Sequence, residues 1–305
     1  MIDIVVGGQY GSEGKGKVTY LLALESTHKC VARIGGPNSG HTVNGVVLKH
    51  LPVSSLIPGG TAIIGAGSYI DVNILRQEIA TYNPRQLYID SKAVVISTKE
   101  SLTLQTRIGS TLSGTGSGVY DRICRGYTTF ISDYIEFRPY IVSTEDIQNI
   151  IKSGCIIEGT QGFGLSVIHT DCYPYATSRD TTAAGFISEL GVSPLDVRNI
   201  YLVIRTYPIR VAGNSGPLSN ETTWEALGLE KEYTSVTKNV RRVGQFDSKL
   251  VKRAIRYNKP THIILNHLDY ITPSMRHHAI KTIEESIGQR IDYIGLSANT
   301  LEVPV

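Results

Sequence analysis

The feature that most constrains how this chain folds is a glycine-rich segment close to its start. A β-branched run at residues 2–6 leads into glycine-rich residues 7–17, and a helical pattern follows at residues 18–25. In such a strand–loop–helix junction, the backbone N–H groups and the helix N-terminus favour an anion, and glycine lets the backbone approach it closely. Lys15 and Lys17 add positive charge. The segment predicts a phosphate-binding loop, with a merely flexible turn as the alternative.

Alternating strands and helices extend this start into an α/β fold. Gly16 stands where a Walker A motif requires Ser or Thr, so the loop is P-loop-like without being that motif. Further strands are predicted at residues 30–34, 46–49, 61–64, 87–89, 93–96, 155–157, 201–204 and 262–265. Further helices are predicted at residues 71–80, 144–152, 181–190 and 248–257. This alternation predicts a largely parallel central sheet flanked by helices.

Long polar loops separate these elements and are the predicted location of function. They lie at residues 35–42, 110–120, 158–182 and 235–244 and are rich in Gly, Ser, Thr and charged residues. Long loops of this kind in a compact domain are usually functional. No segment has the composition of an interdomain linker, so we expect residues 1–305 to form a single domain.

The composition is that of an ordered globular chain with little net charge. Hydrophobic residues make up 41% and charged residues 19%, which excludes a mostly disordered protein. The net charge of +3 is too small to predict a nucleic-acid or membrane surface. The four cysteines form no C-x-x-C pair, so the sequence indicates neither a zinc ribbon nor a redox motif.

A second polar segment carries a histidine in an unusual setting. Residues 33–42 read Arg-Ile-Gly-Gly-Pro-Asn-Ser-Gly-His-Thr, so His41 lies between glycines and hydroxyl side chains and belongs to no apolar stripe. Such a histidine can donate a proton or a hydrogen bond to a developing oxyanion. The alternative is a structural or exposed histidine, which is the commoner case for a single one.

These two segments and several later motifs resemble the adenylosuccinate synthetase family. The first two are Gly-Gln-Tyr-Gly-Ser-Glu-Gly-Lys-Gly-Lys at residues 8–17 and Gly-Gly-Pro-Asn-Ser-Gly-His-Thr at residues 35–42. Later matches follow in the family's order at residues 108–111, 120–122, 158–162, 173–178, 181–183, 205–211, 237–244 and 266–269. Several motifs in one order along nearly the whole chain are far more specific than a lone glycine-rich loop.

The resemblance implies a two-step ligation at a purine. A nucleoside triphosphate phosphorylates the 6-oxygen of a purine monophosphate, and the amine of L-aspartate then displaces that phosphate. The family pattern implies Ser12 and His41 as catalytic residues, and Mg²⁺ held by Ser12 and the Gly40 carbonyl. It assigns the triphosphate to Ser12, Glu13, Gly14, Lys15, Gly16, Lys17, Gly40, His41, Thr42, Arg241, His267, Leu268, Asp269, Gly295, Leu296 and Ser297.

The resemblance also implies the contacts of the other substrates and a homodimer. It assigns the purine monophosphate to Ser12, Asn38, Thr111, Arg125, Gln161, Thr177 and Asn239. Arg125 matches an arginine that the family donates across a dimer interface. The carboxylates of aspartate are assigned to Thr237, Arg241 and Arg242, because a guanidinium suits bidentate carboxylate binding.

Three positions depart from the family pattern. Ser12 stands where the family has its catalytic aspartate, Asn239 where it has an arginine near the ribose, and His267 in its guanine-reading segment. A serine is a much weaker base than a carboxylate and leaves more room beside purine N1 and C2, where a 2-amino group would lie. These departures resemble a divergent phage branch that joins aspartate to dGMP. They favour ATP or dATP as the donor, with GTP possible.

The resemblance also carries expectations about location and partners. We expect no nucleic-acid partner, no membrane partner and a cytoplasmic location, in the host cytoplasm if a phage encodes the chain. An ordinary IMP–aspartate ligase is an alternative function, against which Ser12 and Asn239 argue. A catalytically silent nucleotide-binding regulator is another, against which the retained His41 and Arg241 argue. The structural alternatives are a helix N-cap for Ser12 and a solvated charge run for Arg241 and Arg242.

Overall fold

A large, mostly parallel sheet forms the centre of the computed structural model, which describes residues 1–97, 107–234, 239–297 and 300–304. The strands are β1 (Ile2–Gly7), β2 (Cys30–Arg33), β3 (His41–Val43), β4 (Val46–Leu48), β5 (Thr61–Ile64), β6 (Tyr69–Ile70), β7 (Gln86–Asp90), β8 (Val94–Val95), β9 (Ile141–Val142), β10 (Cys155–Glu158), β11 (Val197–Arg205), β12 (Ile209–Arg210), β13 (Glu221–Thr222), β14 (Arg242–Gly244), β15 (His262–Asn266), β16 (Tyr293–Ser297) and β17 (Thr300–Glu302). Ten of them form one sheet in the order β17-β16-β15-β11-β1-β10-β2-β5-β7-β9. Its neighbouring strands are parallel except for β16 and β17. The predicted α/β fold with a largely parallel sheet is confirmed.

Helices cover both faces of this sheet. They are α1 (Lys15–Glu25), α2 (Val72–Tyr82), α3 (Thr115–Cys124), α4 (Thr144–Ile151), α5 (Ala183–Leu190), α6 (Ser248–Asn258) and α7 (Arg276–Ile287). Along β1, Ile4 and Val6 pack into one apolar cluster with Phe186 of α5, whereas Val5 packs into another with Val18 of α1. Burial on both faces is typical of a parallel sheet, and it explains why β1 reads as a continuous apolar run.

Smaller antiparallel units lie on the carboxyl side of the sheet. The strands β3 and β4 form an antiparallel hairpin that begins at His41. The strand β14 lies between β12 and β13 in a second antiparallel unit. Within the described residues, no helix is long and apolar enough to cross a membrane.

The prediction of a loop at residues 110–120 is wrong from Thr115 onward, where α3 begins. Glycine content suggested a loop, but glycine here permits close packing. A Cβ added to Gly118 would lie 2.9 Å from the Tyr69 ring, so only glycine lets the helix approach β6 without displacing that ring. The helix α7 and the strands β3, β6, β9, β12, β13, β14, β16 and β17 were also not predicted. Of these, β3 and β14 begin inside the predicted loops at residues 35–42 and 235–244.

A buried histidine and a buried glutamate anchor the segment that follows β4. The Glu78 carboxylate accepts hydrogen bonds from the N–H groups of His50 (3.0 Å) and Leu51 (2.8 Å). His50 Nε2 lies 3.1 Å from the Asp71 N–H and accepts its hydrogen bond, which requires the neutral imidazole. Burial, together with nearby Arg33 and Lys49, lowers the pKa of His50 to about 3.

We expect His50 to make the protein less stable as the pH falls from about 6.5 to about 3. The unfolded histidine, with an ordinary pKa, takes up a proton first, so unfolding becomes easier by about 1.4 kcal/mol per pH unit in this window. His50→Gln keeps a hydrogen-bond acceptor that does not titrate and should flatten the dependence. Denaturant unfolding at pH 7 and about pH 4.5 measures it. His278→Gln, at an exposed histidine of α7, is the matched control. An equally steep dependence in His50→Gln would contradict the assignment.

Candidate active site

A cavity of about 1130 Å³ opens where the central strands end at their carboxyl termini. Segments that follow β1, β2, β10 and β15 contribute to its lining, as do the last residue of β16, the β3–β4 hairpin and residues 107–116. Parallel strands commonly bind ligands at this edge, because loops from neighbouring strands converge there. The motifs that the sequence places far apart are therefore brought to one chamber.

The glycine-rich loop is organised around the buried carboxylate of Glu13. Its Oε1 accepts hydrogen bonds from the backbone N–H groups of Gln9 (3.1 Å) and Gly11 (2.8 Å). Its Oε2 forms an ion pair of 2.7 Å with Lys15 Nζ. A Cβ at Gly7 would lie 2.6 Å from Glu13 Oε2, so glycine is needed there for the carboxylate to fit. Glu13 shapes the loop from inside and does not line the cavity, whereas Lys15 does.

Ser12 lies at the exposed crest of this loop, in the cavity wall. Its backbone adopts the left-handed region with φ of 57°, and its hydroxyl accepts a hydrogen bond from Arg241 Nη1. The residue that precedes α1 is Gly14, which makes no side-chain cap, so the helix N-cap alternative for Ser12 is wrong. The structure thus places the predicted catalytic residue Ser12 in direct contact with Arg241, which lies far from it in the sequence.

A buried ion pair lies beside Ser12 and Arg241. Arg205, at the end of β11, is fully buried and pairs with the carboxylate of Glu232, and its Nη1 donates to the Ser12 carbonyl at 3.1 Å. Glu232 also accepts a hydrogen bond of 2.7 Å from the Tyr270 hydroxyl. Burial raises the pKa of Glu232, but Arg205 outweighs it and the net result is a pKa of about 2. Sequence reasoning missed this group, although an arginine directly after an apolar strand was an available signal.

His41 begins the β3 strand and is almost entirely buried in the cavity wall. Its Nδ1 is hydrogen-bonded to Glu158 Oε1, and Gly16 lets α1 pass close to it, since a Cβ there would lie 2.7 Å from His41 Cβ. Burial lowers the pKa of His41 to about 4, against the opposing effect of Glu158. The imidazole is therefore neutral near pH 7 in the free protein, and a bound anion would favour its protonation.

Most of the residues predicted for the purine monophosphate line the cavity. Asn38 Nδ2 lies 3.3 Å from Thr177 Oγ1, and Gln161 Nε2 lies 3.4 Å from the Asn38 carbonyl. Thr111 and Asn239 line the same chamber. The backbone of Asn239 is hydrogen-bonded to Thr234: its carbonyl accepts from the Thr234 N–H at 2.9 Å, and its N–H donates to Thr234 Oγ1 at 3.1 Å. These bonds fix the backbone position of Asn239.

Most of the residues predicted for the triphosphate also line the cavity. They include Gly14, Lys15, Gly16, Lys17, Gly40, Thr42, Arg241, His267, Asp269 and Ser297. Burial lowers the pKa of Lys17 to about 8, and its ammonium donates to the Ser297 carbonyl at 3.0 Å. Burial also lowers the pKa of His267 to about 3, so this imidazole is neutral at physiological pH.

Other predicted residues lie away from the lining. Leu268 is fully buried, and Gly295 and Leu296 lie within β16. Arg125 is exposed at the C-terminal end of α3. Arg242 pairs with Glu221 and donates to the Gly216 carbonyl at 2.7 Å, so its charge is engaged with neighbours. Thr237 lies outside the described residues.

Two cavity residues were not singled out from the sequence. Arg210, at the end of β12, is buried, and its guanidinium lies 4.0 Å from the centre of the Tyr10 ring. Its Nη1 donates to the Ser215 carbonyl, whereas its Nε and Nη2 have no hydrogen-bond partner among the described residues. A guanidinium stacked on an aromatic face is a stable arrangement. The guanidinium of Arg210 therefore holds the ring of Tyr10, which precedes Gly11 in the predicted phosphate-binding loop.

The fold and the cavity define an α/β protein of the kind that binds ligands at the carboxyl ends of parallel strands. The chain belongs to the adenylosuccinate synthetase family, whose sequence model matches residues 4–112 and 118–302. It is therefore a ligase of the adenylosuccinate synthetase type. The adenylosuccinate synthetase of Methanocaldococcus jannaschii is 35% identical, over 87% of this chain and 82% of its own. That of Methanococcus vannielii is also 35% identical, over 95% and 94%.

Two solved structures are similar in fold. Cyanophage S-2L succinoaminodeoxyadenylate synthetase (PurZ), bound to dGMP and to dATP as an energy donor, matches with a TM-score of 0.83 and 31% identity. The match covers 99% of this chain and 95% of that one. The fully ligated adenylosuccinate synthetase from Plasmodium falciparum matches with a TM-score of 0.88 and 21% identity, over 99% of both chains.

Proposed function

We propose that this protein joins L-aspartate to C6 of dGMP at the expense of a purine nucleoside triphosphate. In the first step the γ-phosphoryl group moves to the purine 6-oxygen as N1 loses its proton. In the second, the aspartate amine attacks C6 and the phosphate leaves, giving N6-succino-2-amino-2′-deoxyadenylate. The observation that carries the proposal is Ser12 in the cavity wall, at the position where the family has an aspartate.

The surroundings of Ser12 support a 2-aminopurine as the substrate. Its hydroxyl contacts Arg241, so no carboxylate at this position competes for the guanidinium or crowds the purine edge. Asn239, which replaces the family arginine near the ribose, also lines the cavity with a shorter and uncharged side chain. Without that arginine, the site lacks a hydrogen-bond donor for a ribose 2′-hydroxyl. A deoxyribonucleotide has no 2′-hydroxyl and does not need this donor.

ATP or dATP is the proposed donor, with GTP kept as an alternative. His267 is neutral at physiological pH, and Asp269 lies exposed in the cavity lining, where it can accept hydrogen bonds from a base. The cyanophage S-2L protein, 31% identical, binds dATP as its energy donor. This likeness supports an adenine base in the triphosphate.

Mg²⁺ fits the cavity as an ion held mainly by the substrates' phosphates. Among the described residues no group of three or more His, Cys, Asp or Glu side chains is placed to hold a metal ion, and Mg²⁺ often binds through phosphates and few protein atoms. Ser12 Oγ and the Gly40 carbonyl are the protein ligands that we propose, since both residues are exposed in the cavity wall. The ion would neutralise developing charge on the phosphates.

His41 and the arginines complete the proposed chemistry. His41 stabilises charge on the purine 6-oxygen and on the transferring phosphoryl group. Arg241 is the cavity arginine that we propose for a carboxylate of aspartate, together with Thr237. Arg242 supports that site by fixing β14 to Glu221, and in this arrangement its guanidinium is engaged away from the ligand.

Phosphate release in the presence of aspartate and Mg²⁺ tests the proposal. We would combine dGMP, GMP, dIMP and IMP with ATP, dATP and GTP, and omit aspartate as the control. Turnover that is highest with dGMP and depends on aspartate is the expected result. Turnover that is highest with IMP would replace the proposal by ordinary adenylosuccinate synthesis. That second candidate is favoured by the archaeal relatives, which are 35% identical and named adenylosuccinate synthetases.

We also propose a homodimer in which Arg125 reaches the partner's purine monophosphate. Arg125 lies outside the cavity lining of its own chain, as an arginine that acts across an interface should. Exposed apolar side chains lie near it in the sequence, with Tyr120 and Ile123 68% and 70% exposed and Tyr127 fully exposed. Apolar patches of this kind are typical of protein interfaces.

Ile123→Asp should convert the dimer to monomers, because it places a charge in this apolar patch. Sedimentation velocity measures the change, and Leu195→Asp, at a distant exposed leucine, is the matched control. A mixture of Arg125→Ala and His41→Ala proteins should recover about a quarter of wild-type activity, because half of the dimers then carry one complete site. A mixture as inactive as its components would show that Arg125 does not act across an interface.

A further inference from the structure

We propose that Glu158 is a positioning residue that fixes the ring of His41 and its Nδ1–H tautomer, so that Nε2 faces the substrate during phosphoryl transfer. This role rests on the proposed function, in which His41 meets the purine 6-oxygen. Glu158 is the last residue of β10, fully buried, and its side chain lies behind His41 as seen from the cavity, whose lining includes His41 and not Glu158.

The contacts of Glu158 hold its carboxylate in one orientation. Oε1 accepts the hydrogen bond from His41 Nδ1 and lies 3.4 Å from Arg33 Nη1. Oε2 accepts the Val53 N–H at 3.2 Å. Arg33 is itself buried and donates to the Ser39 carbonyl at 2.9 Å, within the segment that carries His41. The carboxylate, the arginine and the histidine loop therefore form one connected unit.

This arrangement determines which histidine nitrogen is available to a substrate. A carboxylate accepts hydrogen bonds only, so His41 must carry its proton on Nδ1, and Nε2 remains for the cavity. Burial raises the pKa of Glu158, but His41 and Arg33 outweigh it and keep the carboxyl ionised.

Glutamine at residue 158 would preserve the shape of the side chain and change its hydrogen bonding. A carboxylate only accepts hydrogen bonds, whereas an amide can present either its oxygen or its NH₂ group to His41 Nδ1. Glu158→Gln should therefore lose the strict selection of the Nδ1–H tautomer, which a loss of packing alone would not change.

The experiment combines turnover with nitrogen NMR of the histidine rings. For Glu158→Gln we expect kcat to fall between about 10-fold and about 10³-fold, with part of the His41 signal moved to the Nε2–H tautomer. Glu78→Gln is the matched control, since Glu78 is also buried and accepts backbone N–H groups without contacting His41. It should lower stability and leave kcat and the His41 tautomer unchanged.

The NMR measurement keeps the inference testable if Glu158→Gln does not fold or if no substrate pair turns over. Free wild-type protein should show His41 as the Nδ1–H tautomer, identified by its loss in His41→Ala. An Nε2–H tautomer in the wild type, or wild-type kcat in Glu158→Gln, would overturn the role of Glu158. Absence of turnover with every substrate pair would instead overturn the proposed function and leave the tautomer result to stand by itself.

Discussion

His41→Ala should lower kcat by about 10²- to 10⁴-fold while the protein stays folded. The side chain lies in the cavity wall, and the proposal gives it the charge that develops on the purine 6-oxygen and the phosphoryl group. Alanine removes that stabilisation in the transition state, so kcat falls further than substrate affinity. Initial rates of phosphate release under saturating substrates measure the effect, and circular dichroism reports on folding.

Exposed histidines supply the control for this variant. His277→Ala makes the same change on the surface of α7, far from any residue assigned to the cavity lining, and should leave kcat unchanged. If His41→Ala retains most of its turnover, His41 is not part of the mechanism. The same result would remove the basis for assigning a positioning role to Glu158.

Ser12→Asp should shift the preference from dGMP towards IMP by at least about 10²-fold in the ratio of kcat/KM values. The new carboxylate is a stronger base for the purine N1 proton, and it occupies the space beside C2 that a 2-amino group needs. It would also pair with Arg241, which now contacts the serine hydroxyl. Competition assays with dGMP and IMP in one reaction measure the ratio directly.

Ser12→Ala separates the loss of the hydroxyl from the gain of the carboxylate. It should reduce turnover with both nucleotides and leave their ratio near that of the wild type. If Ser12→Asp keeps the wild-type preference for dGMP, then residue 12 does not set the choice of base. The departure of Asn239 from the family pattern would then be the next feature to test.

Local patterns predicted the elements of the fold better than their contacts. An apolar run predicted the strand β1, a cluster of glycines predicted the loop, and a helical pattern predicted α1. All three signals are local, since they lie next to one another in the sequence. Glycine misled the prediction at α3, where it serves the packing of Gly118 against Tyr69 and not a turn. That requirement comes from a neighbour distant in sequence, so no local rule contains it.

The partners within the site could not be predicted for the same reason. Ser12 contacts Arg241, and His41 contacts Glu158. The residues of each pair are far apart in the sequence, and sequence separation does not predict their distance in space. One signal was present and unused: Glu158 is a charged residue that directly ends a buried parallel strand. Because such strands end at the ligand-binding edge, a charge there is a strong candidate for the site or its support.

The central place of β1 in the sheet has a consequence for how the protein is made. Its two neighbours, β10 and β11, begin at Cys155 and Val197, so both edges of β1 remain open until a large part of the chain has left the ribosome. Unpaired edges of this kind invite aggregation, and pairings between distant segments form slowly. We therefore expect the loop after β1 to reach its final shape only after β10 and β11 have been made.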